Sequence, residues 1–249
     1  MTKKERKEII LHEAHLHNRV LVNDLASLLN VSADTIRRDI IELDKEEKLV
    51  RVHGGAQSKS YKPYFYDTYK IYSHDQKSVI AAKAVKLINP SSVSLISGGT
   101  TNFELARLLP YDLEATFFTP SLPIAMQLLE HPKIEVVFLG GKLSKESQIA
   151  LGGNVLNALS EIRFDNCFLG TSYLDFKYGL TEFDWEVVQL KKAMIRSSKK
   201  IISLTISEKI GSVQRYKVCD LETIDVLITE LDSKDEKLEK YHSLGIKVL

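Results

Sequence analysis

Residues able to hold an anion recur in short stretches that follow apolar runs. Ser97-Gly98-Gly99-Thr100-Thr101 comes directly after SVSLI. Its glycines let the backbone approach an anion closely, its hydroxyls add donors, and free N–H groups at the start of a following helix complete a phosphate cradle. A second use of the same residues competes with the first. Thr101 and Glu104 have the T-x-x-E spacing of a capping box, which satisfies helix-end N–H groups internally. Gly140-Gly141 after VVFL and Gly152-Gly153 in ALGGNV are further glycine pairs, each equally able to make a tight turn. Gly170 closes the run NCFLG, Lys191 lies in GLTEFDWEVVQLKKAMI, and Lys209 lies in LTISEKIG. Arg196, Lys199 and Lys200 come late in the same helical stretch as Lys191, where basic side chains complement the helix dipole without any ligand.

Catalytic chemistry is thinly represented in these stretches. Proton transfer between carbons needs a positioned Glu, Asp or His, and no histidine stands in them; Glu182, Asp184 and Glu186 are the remaining candidates for a base. Cys167 and Cys219 are far apart and have neither metal-ligand nor redox spacing. The expectation is a protein with no catalytic set, no metal and no cofactor.

A different chemistry is written in VSADTIRRDIIELDKEEKLVRVHGGA, residues 31–56. Upstream, Val22, Leu25, Ala26 and Leu29 recur at i, i+3, i+4, i+7, the stripe of an amphipathic helix, and Asn30 tolerates the left-handed conformation that ends one. Ser32 fits as N-cap of a second helix, with Val31 set to pack on Ile36 as a hydrophobic staple. In that second helix Ile36, Ile40 and Leu43 face inward. At about 100° per residue, Arg38 points nearly opposite Ile36, with Thr35 and Arg37 on the flanks. This is a helix-turn-helix pattern, although an amphipathic pair with a solvated face has the same spacing. KLVRVHGGA adds a strand and a tight turn, and RVLV at 19–22 supplies a pairing strand, so the three elements together predict a winged helix-turn-helix. The acidic residues Asp39, Glu42 and Asp44 fall farther along the second helix, away from a duplex.

The elements that must position these residues are legible as alternation. SVSLIS, ATFFT, IEVVFLG, NCFLGTS, KIISLTI, DVLITE and IKVL are strand-like, and helical patterns stand between them at 101–109, 121–130, 184–199 and 233–243. An earlier helix, QKSVIAAKAVKLI, has Val79, Ala82 and Val85 among its apolar positions. Such alternation predicts an α/β domain with a mainly parallel, Rossmann-like sheet covered on both faces, whose ligands bind outside the carboxyl ends of the strands. The expected organisation is a DNA-binding domain over 1–57, a polar, tyrosine-rich linker over 58–74 whose aromatics dock on one domain or the other, and an α/β domain over 75–249.

Composition limits the alternatives. The 249 residues are 44% hydrophobic and 27% charged, with a net charge of +1. Residues 1–60 hold 11 Lys/Arg against 10 Asp/Glu, so DNA binding has to rest on geometry and not on bulk charge. With no signal peptide pattern and no apolar run of bilayer length, a reducing cytoplasm is the expected compartment and no membrane partner is expected.

The run TIRRD followed by LVRVHGGA closely resembles the amino-terminal signature of the DeoR family of bacterial transcriptional regulators. The resemblance continues through the GGTT loop, both LGG turns, FLGTS, GLT, LKKAMI, the Lys209-Ile210-Gly211 loop and IDVLIT, and so covers nearly all of 75–249. It implies DNA contacts at Ser32, Thr35, Arg37, Arg38, Arg51, His53, Gly54 and Gly55. It also implies a sensor domain related to sugar-phosphate isomerases and CoA transferases, with an effector held by Ser97, Gly98, Gly99, Thr100, Thr101, Gly140, Gly141, Gly152, Gly170, Lys191 and Lys209. The implied partners are double-stranded operator DNA and a phosphorylated sugar or similar anionic metabolite, and the implied state is a homodimer or higher homo-oligomer. Two departures stand out: Ser97 takes the place of the family's usual aspartate, and Ile206 takes that of another. The phosphate-holding elements are therefore more intact than the sugar-holding ones.

Overall fold

The structure is a computed structural model; it describes residues 1–59 and 71–249. The chain divides into two compact units, Met1–His74 and Asp75–Leu249.

In the first unit, α1 (Lys3–His17), β1 (Arg19–Leu21), α2 (Val22–Leu29), α3 (Ala33–Lys45), β2 (Leu49–Val52) and β3 (Gly55–Ser58) enclose one apolar core. Helix α1 is opened by a capping box, Thr2 with Glu5, and contributes Ile10 and Ala14 to that core. The sequence carried the T-x-x-E signal for it, yet the helix lies outside the pattern read above. Helix α2 stops at Asn30, whose φ of 50° and ψ of 49° are left-handed. Ser32 caps α3 by accepting from the Thr35 N–H, and Ile36, Ile40 and Leu43 are buried as their spacing requires. The three strands form an antiparallel sheet in the order β1-β3-β2. The wing turn is carried by His53 and Gly54, not by the two glycines together. Gly54 has φ +76°, while Gly55 already belongs to the central strand, with no room for a side chain against the Val20 carbonyl.

The second unit starts with α4 (His74–Val85) and is built on β4 (Val93–Ile96), α5 (Thr100–Arg107), β5 (Ala115–Thr119), α6 (Leu122–Leu128), β6 (Ile134–Phe138), β7 (Lys142–Leu143), β8 (Ala150–Leu151), α7 (Gly153–Ser160) and β9 (Asn166–Gly170). It continues through β10 (Tyr173–Asp175), β11 (Gly179–Glu182), α8 (Trp185–Arg196), β12 (Ile201–Leu204), β13 (Tyr216–Cys219), β14 (Val226–Ile228), α9 (Glu239–His242) and β15 (Lys247–Val248). The seven strand-like runs of the sequence make one seven-stranded sheet, ordered β15-β14-β12-β9-β4-β5-β6, in which every pairing is parallel. Successive side chains of β12 and β14 point to opposite faces and all are buried, so both faces of the sheet are covered. This is the expected Rossmann-like architecture. A small antiparallel sheet, β10-β11-β13, and the hairpin β7-β8 are additions that the sequence pattern did not reveal.

The strand order fixes where a ligand belongs. From β4 the chain moves outward to β5 and β6, then returns to lay β9 on the other side of β4 and moves outward again. The crevice between the carboxyl ends of β4 and β9 is therefore the topological switch point, where open α/β sheets bind their ligands.

In α4 the inward residues are Lys77, Ile80, Ala81 and Ala84, whereas Val79 and Ala82 are exposed, so a buried lysine takes a core position. One expectation about a helix is corrected. The capping box at Thr101 and Glu104 is not formed: Gly99 is the N-cap of α5, without a side-chain cap bond. Glu104 is instead fully buried and accepts two bonds from Arg107, from Nε at 3.0 Å and Nη2 at 2.8 Å. Most of the tyrosine-rich linker lies outside the described residues; Ile71, just past them, is buried, and the Tyr72 ring lies against those of His12 and His15 on α1.

Candidate functional site

In the first unit the fold sorts the charges that cancel in the composition. Asp39 is buried on α3 and held by the Arg6 guanidinium of α1 through Nε at 2.5 Å and Nη2 at 3.2 Å, a contact that raises the arginine pKa further. Glu42 pairs with Lys3 and Lys7, and Glu46 with Lys7 and Lys48. The Lys3 and Lys7 ammonium groups hold the Glu42 carboxyl down to about 2. Helix α1 thus supplies cations to the acids in the carboxyl-terminal half of α3. The outward residues near the start of α3 are left electropositive. Arg37 is exposed, and Arg38 is exposed with its Nη2 2.8 Å from Asp34. Ser32 and Thr35 hydroxyls lie 2.9 Å apart at the helix end, beside its free N–H groups.

The wing carries Arg51 and His53 on its exposed side. Its geometry is fixed from the protein: Arg51 N–H donates to Asp44 at 3.1 Å, Val22 N–H to the Gly54 carbonyl at 2.9 Å, and the Arg19 guanidinium to the His53 carbonyl at 3.2 Å. Gly54 lies at the exposed tip. Gly55 is buried, so its role in the wing is packing against β1.

In the second unit, the switch-point crevice gathers most of the anion-holding residues named from sequence. Ser97, one residue past β4, is buried; its hydroxyl accepts from the Gly170 N–H at 2.7 Å and the Asn102 amide at 3.0 Å. Gly170 ends β9, and a Cβ there would lie 2.6 Å from the Gly98 carbonyl. The loops of the two switch-point strands therefore meet at a glycine because nothing larger fits. Gly99, at φ +110°, turns the chain into α5, whose first residues are Thr100 and Thr101.

Lysines enter from three directions. Lys209, in the short loop after β12, donates a long bond of 3.3 Å to the Thr171 carbonyl; burial of its ammonium pushes its pKa down to about 8 against the attraction of Glu182. Lys191 on α8 is buried in an ion pair with Glu182 at 2.6 Å, and Ser172 donates to the same carboxylate oxygen at 2.7 Å. Lys77 on α4 was not singled out from sequence. It is buried, and desolvation first, then the nearby Lys209, push its pKa down to about 7, with Glu208 and Glu104 opposing. A lysine amid the small apolar residues of α4 was the available signal.

Gly140, Gly141 and Gly152 stand elsewhere. Gly140 and Gly141 precede the β7-β8 hairpin, and Gly152 is the N-cap of α7 with φ +100°. Their tie to the first loop runs through Ile149, whose side chain lies against Gly98. Ile206 is buried. Of the candidate bases, Glu182 is committed to Lys191 and Ser172, Asp184 caps α8, and Glu186 is exposed. Among the described residues, no cluster of His, Cys, Asp or Glu could hold a metal ion, and no helix is long and apolar enough to cross a membrane.

A family model for the DeoR C-terminal sensor domain matches residues 72–231, and one for the DeoR-like helix-turn-helix domain matches residues 6–62. The chain belongs to the DeoR family. It is a DNA-binding transcriptional regulator, and the arrangement of α2, α3 and the wing fits that role. Among curated relatives, a putative aga operon transcriptional repressor of Escherichia coli O157:H7 is 31% identical, covering 98% of this chain and 93% of the relative. The HTH-type transcriptional repressor GlcR of Bacillus subtilis (strain 168) is also 31% identical, over 92% of this chain and 89% of its own length. Among solved structures, ribose 5-phosphate isomerase A of Methanocaldococcus jannaschii is similar over 56% of this chain and 55% of its own, at 18% identity and a TM-score of 0.42.

Proposed function

We propose that the chain is a repressor of a sugar-metabolism operon, with its DNA affinity controlled by a phosphorylated sugar or related anionic metabolite. Residues 1–57 are the DNA-binding domain, 58–74 the linker and 75–249 the sensor. The observation that carries the effector reading is the convergence of Lys77, Lys209 and the Ser97–Thr101 loop on the β4/β9 crevice. Cations brought out of water beside a glycine-rich strand-to-helix turn suit an oxyanion that replaces their lost hydration. The names of the two relatives, both repressors, support the regulatory half.

On the DNA side, α3 enters the major groove, with Arg37 and Arg38 reaching bases or phosphates, Ser32 and Thr35 holding a phosphate at the helix end, and Arg51 and His53 on the wing. A homodimer reads a two-fold operator, since one small winged domain seldom supplies enough affinity alone. Working on bacterial DNA, the protein acts in the cytoplasm. The commitment of Glu182 and Asp184 to structural bonds supports a sensor over a sugar-phosphate isomerase.

The test is a titration of the full chain with a panel of sugar phosphates, followed by promoter-DNA binding with and without each compound that binds. An effector is expected to change DNA affinity several-fold or more, the equivalent of about 1–3 kcal/mol of coupling. No binding of any phosphorylated compound at millimolar concentration would refute the sensor reading. Aldose-ketose turnover lost on substituting Glu182 or Glu186 would establish the isomerase instead.

A further inference from the structure

The chain contains a single tryptophan, Trp185, and it is 56% exposed. A large indole left in water needs a reason, and its position offers one. Trp185 follows the N-cap Asp184 and opens α8, the helix that carries Lys191. Its ring meets that of Tyr216 edge-on, with centroids 5.4 Å apart at 68°. Tyr216 is the register partner of Glu182 across β11 and β13, so the two side chains share one face of that small sheet. Glu182 is in turn the buried partner of Lys191, and Lys209 is close enough to feel its charge.

Three chemistries are thus linked through Glu182 and its strand partner Tyr216: ammonium groups for an oxyanion, a carboxylate with acceptor capacity on Oε1 beyond its one bond to the Phe183 N–H at 3.2 Å, and an exposed indole. An indole face is electron-rich and attracts the polarised C–H groups on one side of a closed sugar ring. An acyclic phosphate presents no such flat C–H surface. The T-shaped contact with Tyr216 leaves Trp185 more than half exposed and limits how its ring can turn.

We infer that Trp185, braced by Tyr216, is the platform on which a ring-closed sugar phosphate stacks, and that it makes this sensor select cyclic over acyclic phosphates. The inference rests on the reading of the β4/β9 crevice as the effector site. Trp185 is a specificity residue here, and its exposure means that replacing it leaves the core intact.

The experiment uses the full chain and four probes: inorganic phosphate, glycerol 3-phosphate, glucose 6-phosphate and, as a second ring form, fructose 6-phosphate. Binding is measured by calorimetry and by the emission of the sole tryptophan. Wild type is expected to bind a ring form more tightly than glycerol 3-phosphate, with a change in emission. Trp185→Leu should lose about three- to tenfold of ring-form affinity, the usual worth of an aromatic contact, and keep its affinity for inorganic phosphate. Trp185→Phe should retain most of the ring preference. Ring-form affinity unchanged in Trp185→Leu, or wild-type emission unmoved by a ring form that calorimetry detects, overturns the platform and leaves the effector reading standing. Equal loss for inorganic phosphate also overturns it, because the effect is then on the fold. Failure of wild type to bind any probe refutes the effector reading itself, and the platform falls with it.

Discussion

Two adjacent glycines of the wing make opposite demands, and substituting each with alanine separates them. A Cβ on Gly55 would lie 1.8 Å from the Val20 carbonyl oxygen and 3.1 Å from the Leu21 Cα. Carbon and oxygen rest about 3.3 Å apart or more, so β1 has to retreat from β3 by roughly 1.5 Å. A hydrogen bond lengthened that far is no longer one, so the ladder pairing Arg19–Leu21 with Gly55–Gln57 is lost. At about 0.5–1.5 kcal/mol net per backbone bond, with some packing of Val20 lost too, Gly55→Ala should destabilise the first unit by about 2–4 kcal/mol. Gly54 has nothing within 4 Å of an added Cβ and only its φ of +76° to defend. Gly54→Ala should therefore cost about 1–2 kcal/mol, and Gly54→Asn less. Hydrogen exchange on the full chain locates the effect: amide protection over 19–22 and 55–58 should collapse in Gly55→Ala and survive in Gly54→Asn. Promoter-DNA affinity should fall at least about tenfold in Gly55→Ala, because the wing carrying Arg51 and His53 loses its seat. Wild-type protection and DNA affinity in Gly55→Ala, or a ranking with Gly54→Ala the worse, would refute the steric reasoning.

Other expectations follow from the same structure. Arg37→Ala should weaken promoter binding and reduce the salt slope by about one if its partner is a phosphate, measured by anisotropy across a salt series. Arg38→Ala should do less, because Arg38 has to leave Asp34 before it can reach DNA. Asp39→Asn removes the charge that holds Arg6 and should lower stability by about 2–3 kcal/mol in urea unfolding, with little change if the pair is dispensable. Effector affinity should depend on pH in one direction. Lys77 at about 7 and Lys209 at about 8 are cationic below these values, so anion binding should weaken as pH rises from about 6.5 to 9 and take up protons within that window. A flat calorimetric profile over that range would count against both lysines as ligand contacts.

How far the sequence could be read depended on whether a residue obeyed its local pattern. The seven strands of the main sheet were recognisable because runs such as VSLI, NCFLG and IISL are apolar on both faces, as strands buried between helices must be. Strands β10 and β11 were not recognisable, since YLD and GLTE are short and include Asp175, Gly179 and Glu182. Helix α7 begins with glycine and has no capping side chain, so its start resembled a turn. The burial of Lys77 among small residues on α4 was not foreseen, and Glu104 was misjudged because burial with Arg107 outweighed its spacing from Thr101. Nothing within α3 announces that Asp39 is buried; its partner Arg6 stands 33 residues earlier. The meeting of Ser97 with Gly170 likewise depends on strand order, which joins residues 73 apart.

The Ser97 hydroxyl ties the two halves of the sheet together with neutral bonds only. Alcohols do not ionise in any range that a living cell visits, so this seam keeps its dimensions whatever the acidity around it. The lysines that border it do change their charge. Shape and attraction are therefore governed by separate atoms, and a shift toward alkaline conditions would weaken the pull of Lys77 and Lys209 on a guest without altering the outline of the cleft.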